Sequence, residues 1–113
     1  MERDTGYLMD MLDSARLAVE YMGGIDKTGF VTDVRTQDAV VRRLEIIGEA
    51  SRRLSEQCRA SLPGLPWRAM VSMRNLMIHE YDGVDYSLVW ETVRQDLPPL
   101  IEALEKRLGK GAT

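Results

Sequence analysis

The sequence predicts an all-α fold, an antiparallel bundle of four to five helices formed by a single domain over residues 1–113. Apolar residues recur at steps of three and four along most of the chain, which is the period of an amphipathic helix. No segment alternates with period two, as a half-buried strand would. With 113 residues, the chain has the length for one hydrophobic core, against which each helix would bury one face.

The first helix is predicted from a regular apolar stripe that stops at Gly23-Gly24, where glycine typically ends a helix. The stripe advances in steps of three and four and consists of Leu8, Met11, Ala15, Ala18 and Met22. Asp4 or Thr5 would cap its N-terminus with a side-chain oxygen. Residues 23–35 are then expected to form a loop.

A longer second helix is predicted from Thr36, its expected N-cap, to the turn-forming residues 62–66. Its apolar seam is formed by Val40, Leu44, Ile47, Ser51, Leu54 and Cys58. A helix of about 24 residues would be roughly 36 Å long. Cys58 lies on the seam and is expected to be a small buried hydrophobe. Gly48 in the middle costs about 1 kcal/mol relative to alanine and indicates close approach by a neighbouring element.

Two further helices are predicted in the C-terminal half. The first starts after Pro66 and places on one face Trp67, Met70, Val71, Arg74 and Ile78. Asp82-Gly83 is typical of a turn. The last helix opens near Asp85 and closes at Gly109, and a kink or break is expected at Pro98-Pro99 because proline cannot donate the helical hydrogen bond.

Composition excludes several classes of protein. A hydrophobic fraction of 44% and a net charge of −3 exclude intrinsic disorder, and no apolar run is long enough for a transmembrane helix. The first ten residues are acidic and lack the basic and apolar regions of a signal peptide, so a cytoplasmic location is expected. One cysteine and one histidine exclude an internal disulfide and a zinc site within one chain.

The charge is distributed unevenly along the chain. Residues 1–34 hold 3 basic and 7 acidic side chains, residues 35–74 hold 8 and 4, and residues 75–113 hold 4 and 7, which gives −4, +4 and −3. All the basic residues of the middle segment are arginines. Two interpretations stay open: a phosphate-binding face within an acidic protein, or a solvated helix face with glutamate partners.

The sharpest candidate site is a short polar cluster after the third predicted helix begins. Arg74 falls on an apolar face, where a buried charge must find a carboxylate or line an anion-binding cleft. Asn75 and His79 are four residues apart and share the adjacent face. Tyr81 would return close to Arg74 if the helix continued. One region would therefore present a guanidinium, an amide, an imidazole and a phenol.

These residue types suit cleavage of a phosphodiester without a metal. Histidine can take the proton of a ribose 2′-OH or give one to the leaving oxygen. Arginine can hold the phosphate and stabilise the charge that develops on it. The reaction uses both a base and an acid, and one histidine per chain does not readily supply both. We therefore expect a two-fold dimer that brings two copies of His79 to one interface. The alternative is structural: a His79–Asn75 pair beside an arginine that lines the core.

The same residues carry a family resemblance. The pattern Arg74-Asn75-x3-His79-x-Tyr81 resembles the Arg-x4-His-x-Tyr motif of the HepT-like toxins, a branch of the HEPN superfamily. Other segments resemble the remainder of the family's pattern in the same order: the second-helix signature at 43–50, the approach to the motif at 66–75, and the last helix at 84–90 and 96–100. The resemblance extends over nearly the whole chain.

The resemblance implies a HEPN-like bundle that forms a homodimer, with Arg74 and His79 of both protomers in one cleft. It implies a metal-independent endoribonuclease that uses no cofactor and acts on RNA as the toxin of a type VII-like toxin–antitoxin pair. The antitoxin of such a pair is a minimal nucleotidyltransferase, which silences the toxin by adding AMP to the motif tyrosine, here Tyr81. Asn75 would orient His79 or contact phosphate. Glu49 would lie near the cleft and pair with Arg74.

Two other functions stay open from the sequence. The chain could be a non-catalytic, nucleotide-binding or accessory helical subunit of a nucleotidyltransferase, in which Arg74 and His79 contact a phosphate without cleaving RNA. It could also be an interaction protein whose motif residues only stabilise a dimer. A neighbouring nucleotidyltransferase reading frame would favour the toxin and the accessory subunit without separating them, and growth arrest that depends on His79 would favour the toxin.

Overall fold

The computed structural model describes residues 2–70, Met73 and residues 83–109, and every regular element within these ranges is helical. The helices are α1 Glu2–Met22, α2 Lys27–Phe30, α3 Val34–Arg53, α4 Glu56–Ala60, α5 at residues 67–70, α6 Tyr86–Gln95 and α7 Leu97–Leu108. The predicted all-α fold is confirmed. None of the described helices is long and apolar enough to span a membrane.

The first helix follows the predicted stripe closely. All five stripe residues are buried, with exposed fractions of 0–2%, and α1 packs most extensively against α3 and next against α7. The chain leaves the helix at Gly23, whose φ of 52° favours glycine. The expected cap at Asp4 or Thr5 is wrong, because the helix already begins at Glu2.

The predicted loop 23–35 contains a short helix, α2. Asp26 caps this helix by accepting a hydrogen bond from the Gly29 N–H at 2.8 Å. Phe30 at its end is fully buried and contacts the Tyr86 ring edge-on, with 6.2 Å between ring centroids. Four residues are too few to show a helical period, so the hydrophobic pattern could not reveal α2.

The predicted second helix is two helices. Its six seam residues are all buried, as expected, but the backbone is extended at Leu54 and Ser55, with ψ of 145° and 156°. The expected N-cap at Thr36 is also wrong: Asp33 caps α3, and its carboxylate accepts from the Thr36 N–H at 3.1 Å and hydroxyl at 2.8 Å. The Asp33 carboxylate thus satisfies the Thr36 N–H, one of the first-turn N–H groups that have no partner within the helix.

The break between α3 and α4 is held by a residue distant in sequence. The Asp4 carboxylate accepts from the Ser55 N–H at 2.9 Å and from the Ser55 hydroxyl at 2.7 Å. The Ser55 oxygen in turn accepts from the Cys58 N–H at 3.0 Å and caps α4. The backbone and hydroxyl hydrogen bonds from Ser55 hold the pKa of Asp4 below its ordinary value. We call this arrangement the Asp4–Ser55 latch.

Replacing Ser55 by alanine is expected to lower stability, since loss of the cap alone costs about 0.5–2 kcal/mol. Because the pKa of Asp4 is lowered on folding, the latch stabilises the protein at neutral pH and its contribution is lost as the pH falls below 3.8. The difference in unfolding temperature between the wild type and the variant should therefore be smaller at pH 3 than at pH 7. Ser61→Ala, which removes an exposed hydroxyl bonded only locally to the Cys58 carbonyl, is the control. An equal loss in both variants would contradict the latch.

The last predicted helix is also divided, two residues before the expected position at Pro98. The helix begins near Asp85, as expected, and the Asp85 carboxylate caps α6 by accepting from the Leu88 N–H at 3.2 Å. The division falls at Asp96, and Pro98-Pro99 lie inside the first turn of α7 rather than at a kink. Proline is tolerated there because first-turn N–H groups have no helical partner. Gly109 ends α7 with a φ of 69°, as expected.

The loop between α1 and α2 is fastened to α6 by a cluster around Trp90. The indole N–H of Trp90 donates to the Ile25 carbonyl at 2.9 Å. The Arg94 guanidinium donates to the carbonyls of Gly23 at 2.7 Å and Ile25 at 2.9 Å. Lys27 and Arg94 both approach the Trp90 ring, at 5.7 and 5.4 Å from its centroid. Two carbonyls of the loop that follows α1 are thus satisfied by side chains of α6.

Candidate functional site

The motif residues predicted from the sequence lie outside the part of the chain that the structure describes. These are Arg74, Asn75, His79 and Tyr81, and their roles stay predictions. The chain is described on both sides of them. Met73, covalently joined to Arg74, is fully buried, and the description resumes at Gly83, whose φ of 95° favours glycine.

The approach to the motif is anchored in the core. Pro66 precedes α5, and its carbonyl accepts from the Met70 N–H at 3.1 Å. Met70 and Met73 have exposed fractions of 1% and 0%. The Trp67 indole N–H donates to the Leu62 carbonyl at 3.0 Å, which ties α5 back to the preceding turn. The core therefore fixes where the chain enters the motif.

Glu49, the fifth predicted site residue, is described and lies half-buried on α3. One of its contacts is an ion pair with Arg52 at 3.3 Å. It lines a cleft of about 310 Å³ between α1 and α3, together with Tyr7, Asp10, Arg42, Glu45 and Arg53. The expected pairing of Glu49 with Arg74 involves a residue outside the described ranges and stays a prediction.

A larger pocket of about 600 Å³ opens on a different face of α3. It lies between α3, α4, the 61–66 turn and α5, and it spans the break that the Asp4–Ser55 latch holds. Its walls include Gly48, Ser51, Arg52, Arg59, Trp67 and Met70. The described walls carry two arginines and no carboxylate. We call this site the Arg52–Trp67 pocket.

No single pattern in the sequence indicates this pocket. Arg52 and Arg59 belong to the arginine-rich segment, and Trp67 belongs to the apolar face of the third predicted helix. What brings them to one cavity is the break at Ser55, for which the capping pattern Ser55-x-x-Cys58 was the available signal. Gly48, expected to mark a close approach, is buried and lines the same pocket.

Cys58 is buried, as predicted from its position on the seam. Burial raises the pKa of the Cys58 thiol, and the nearby Asp4 carboxylate raises it further. A thiol in this environment stays protonated at neutral pH and is a poor nucleophile. Among the described residues, no group of three or more His, Cys, Asp or Glu side chains could hold a metal ion.

The all-helical fold and the motif that follows α5 are those of the HEPN superfamily of helical domains. Within it, the family model described as ribonuclease HepT-like matches residues 11–107. The chain therefore belongs to the HepT-like ribonuclease family, and the resemblance read from its motifs is confirmed.

Curated relatives cover most of this chain. A Thermococcus cleftensis protein named "Probable ribonuclease HepT" is 42% identical over 100 residues, which is 88% of this chain and 91% of the relative. A Methanocaldococcus jannaschii protein named "Putative RNase" is 41% identical over 99 residues, with the same coverage. A "Putative RNase" of Caldanaerobacter subterraneus is 36% identical over 110 residues, or 97% of this chain and 98% of the relative. No solved structure matches.

Proposed function

We propose that this protein is a metal-independent endoribonuclease whose catalytic residues are Arg74 and His79. The observation that carries the proposal is the HepT-like family match over residues 11–107, in a chain that contains the Arg74-x4-His79 spacing. The names of the relatives support RNA as the substrate.

In the proposed reaction, RNA supplies its own nucleophile. His79 takes the proton of the ribose 2′-OH, and the 2′-oxygen forms a bond to the adjacent phosphorus as the bond to the 5′-oxygen breaks. The 5′-oxygen leaves with a proton, and a 2′,3′-cyclic phosphate remains. Arg74 holds the non-bridging oxygens and stabilises their developing charge. Asn75 orients His79 or contacts the same phosphate, and Glu49 pairs with Arg74.

The proposal includes a homodimer. The chain has one histidine, and the reaction needs both a base and an acid. A two-fold interface at the motif would bring a second His79 to donate the leaving-group proton. Such an interface should bury more than about 1,000 Å² in total.

RNA cleavage by the purified protein is expected to continue unchanged in EDTA. The reason is that the 2′-oxygen is the nucleophile and the histidine moves the proton, so no metal-bound water takes part. The measurement is cleavage of a labelled RNA with and without chelator, with the new 3′ ends analysed for cyclic phosphate. A parallel digestion by an Mg²⁺-dependent nuclease controls for chelation. Activity lost in EDTA and restored by Mg²⁺ would overturn the mechanism.

We further propose that the protein is the toxin of a toxin–antitoxin pair whose antitoxin is a minimal nucleotidyltransferase. The family match supports the pairing. Expression of this chain alone should arrest growth, and co-expression with a nucleotidyltransferase encoded beside it should restore growth. Arrest that the partner does not relieve would count against the pairing.

Incubation with the neighbouring nucleotidyltransferase and ATP is expected to add AMP units to Tyr81 and to stop RNA cleavage. Each unit brings a phosphodiester charge close to Arg74, where it competes with substrate phosphate. Intact-protein mass spectrometry checks this, and the matched variant is Tyr81→Phe, which lacks the acceptor hydroxyl. A mass gain that persists in Tyr81→Phe, or none from an active partner, would refute the modification.

A further inference from the structure

We propose that the Arg52–Trp67 pocket binds one nucleotide of a single-stranded RNA substrate, next to the nucleotides that the motif cleaves. The base stacks on Trp67, and Arg52 and Arg59 hold the adjoining phosphates. The inference rests on the proposed function for its substrate class, but it concerns residues outside the catalytic motif.

The size and charge of the pocket fit a nucleotide. Its volume of about 600 Å³ lies within the range of roughly 300–1,000 Å³ that small-molecule sites occupy. Its described walls combine an apolar side, formed by Trp67 and Met70, with the guanidinium groups of Arg52 and Arg59. Sites for single-stranded nucleic acid pair an aromatic platform with a basic wall in this way.

Trp67 is held in a fixed orientation. Its indole N–H, which is the only polar group of the side chain, is engaged by the Leu62 carbonyl at 3.0 Å. The ring is only partly buried and lines the pocket. Because the N–H is engaged, the part of the ring that lines the pocket is apolar, and an aromatic ring of this kind can stack on any base.

The two arginines can exchange their present contacts for phosphate at little cost. Arg52 pairs with Glu49 at 3.3 Å, and both side chains are about half exposed, at 50% and 45%. Exposed pairs of this kind contribute little to stability. Arg59 donates to the Leu54 carbonyl over 3.4 Å, which is a long hydrogen bond. A phosphate would give either guanidinium a shorter, charge-assisted bond.

The pocket lies within reach of the catalytic motif. Met70 lines it, and Arg74 follows Met70 by four residues. Four residues span at most about 14 Å even when fully extended, so the Arg74 backbone lies within that distance of the pocket wall. One RNA strand can therefore contact both.

The smaller cleft beside α1 provides a matched comparison. Arg42 and Arg53 line it and belong to the same arginine-rich segment of α3 as Arg52. Three carboxylates, from Asp10, Glu45 and Glu49, line that cleft as well. These carboxylates would repel a phosphate. Comparing substitutions of Arg52 and Arg59 with substitutions of Arg42 and Arg53 therefore distinguishes a local binding site from general attraction to a basic segment.

The first test measures binding without cleavage, in a His79→Ala background, by fluorescence anisotropy of a labelled single-stranded RNA. Arg52→Gln/Arg59→Gln is expected to weaken binding about tenfold and to reduce the slope of log affinity against log salt by ~1.4, since each phosphate contact on a single strand contributes ~0.7. Arg42→Gln/Arg53→Gln removes the same charge and should bind within about twofold of its parent. Equal weakening in both pairs would overturn the subsite.

The second test uses tryptophan fluorescence with two probes, the RNA and AMP. The RNA should quench the emission of the parent, and the quench should disappear in Trp67→Phe, which retains a ring at that position. Trp67→Leu should bind the RNA more weakly than Trp67→Phe. A quench that survives in Trp67→Phe would remove Trp67 from the site, and tighter binding of AMP than of RNA would replace the proposal with a mononucleotide site.

The third test separates this inference from the proposed function. In the otherwise wild-type protein, Arg52→Gln/Arg59→Gln should raise the KM for a long RNA and leave cleavage of a dinucleotide unchanged. Wild-type KM with normal cleavage would refute the subsite and leave the ribonuclease intact. RNA binding that depends on Trp67, in a protein that cleaves no RNA, would support the subsite and refute the ribonuclease. Conversion of a dimer to a monomer by this double substitution, seen by light scattering, would mean that a second copy of the chain occupies the surface.

Discussion

Replacing His79 by alanine is expected to lower the rate of RNA cleavage on the order of 10²–10⁴-fold, the usual contribution of a positioned general acid or base. The substitution removes the imidazole groups that take the proton of the 2′-OH and donate a proton to the leaving oxygen. Arg74→Ala should cause a comparable loss, since it removes the cation that stabilises the phosphate in the transition state. Initial rates on a labelled RNA measure both, and expression should no longer arrest growth.

The control is the unfolding temperature of each variant, which shows whether the protein is still folded. Both variants should unfold at temperatures close to that of the wild type, because the core side chains that anchor the approach, Met70 and Met73, are unchanged. Arg74→Lys tests the arginine more finely: a lysine keeps the charge but cannot form the two parallel bonds of a guanidinium to phosphate. A folded His79→Ala protein that cleaves at the wild-type rate would place the reaction elsewhere.

Replacing Leu44 by alanine is expected to lower the free energy of unfolding by about 2–5 kcal/mol, the usual cost of a core leucine together with the cavity it leaves. Leu44 is fully buried in the middle of the α3 seam, and α3 forms the most extensive contact with α1. Since a domain of this size is stable by only about 5–15 kcal/mol, the variant should be close to unfolding at 37 °C. Urea denaturation followed by circular dichroism measures the change.

Leu88→Ala is the matched control for this core substitution. It makes the same chemical change on a helix, but Leu88 is 44% exposed, so far less apolar contact is lost and the cavity term is small. The slope of the transition should be unchanged in both variants, which would show that stability and not compactness has been altered. Similar urea midpoints for Leu44→Ala and Leu88→Ala would contradict the placement of the α3 seam in the core.

The hydrophobic pattern predicted which faces are buried better than where helices break. Leu54 and Cys58 continue the seam across the break at Ser55 with unchanged spacing and are both buried, so periodicity cannot detect the change of direction. The break depends on the Asp4 carboxylate, which is 51 residues away. Local signals did predict a helix start near Asp85 and a helix end at Gly109, because capping there needs only neighbouring residues.

The candidate site likewise has a part that local sequence predicts and a part that depends on long-range contacts. Arg74 and His79 could be proposed from their spacing, because residue type and short-range order carry that information. The Arg52–Trp67 pocket could not, because its walls come from three helices and meet only where α3 ends and α4 begins. Long-range hydrogen bonds determine that geometry, and a single sequence does not display them.

The fastening of the α1–α2 loop to α6 has a consequence for the order of events in folding. The bonds from Arg94 to the Gly23 and Ile25 carbonyls join residues 71 and 69 positions apart, and the Trp90 bond to Ile25 spans 65. Closing these long segments costs more chain entropy than closing the connection between α1 and α3, which is only residues 23–33. We expect the α1–α3 pair to assemble first, which leaves the Gly23 and Ile25 carbonyls bonded to water until the C-terminal helices dock.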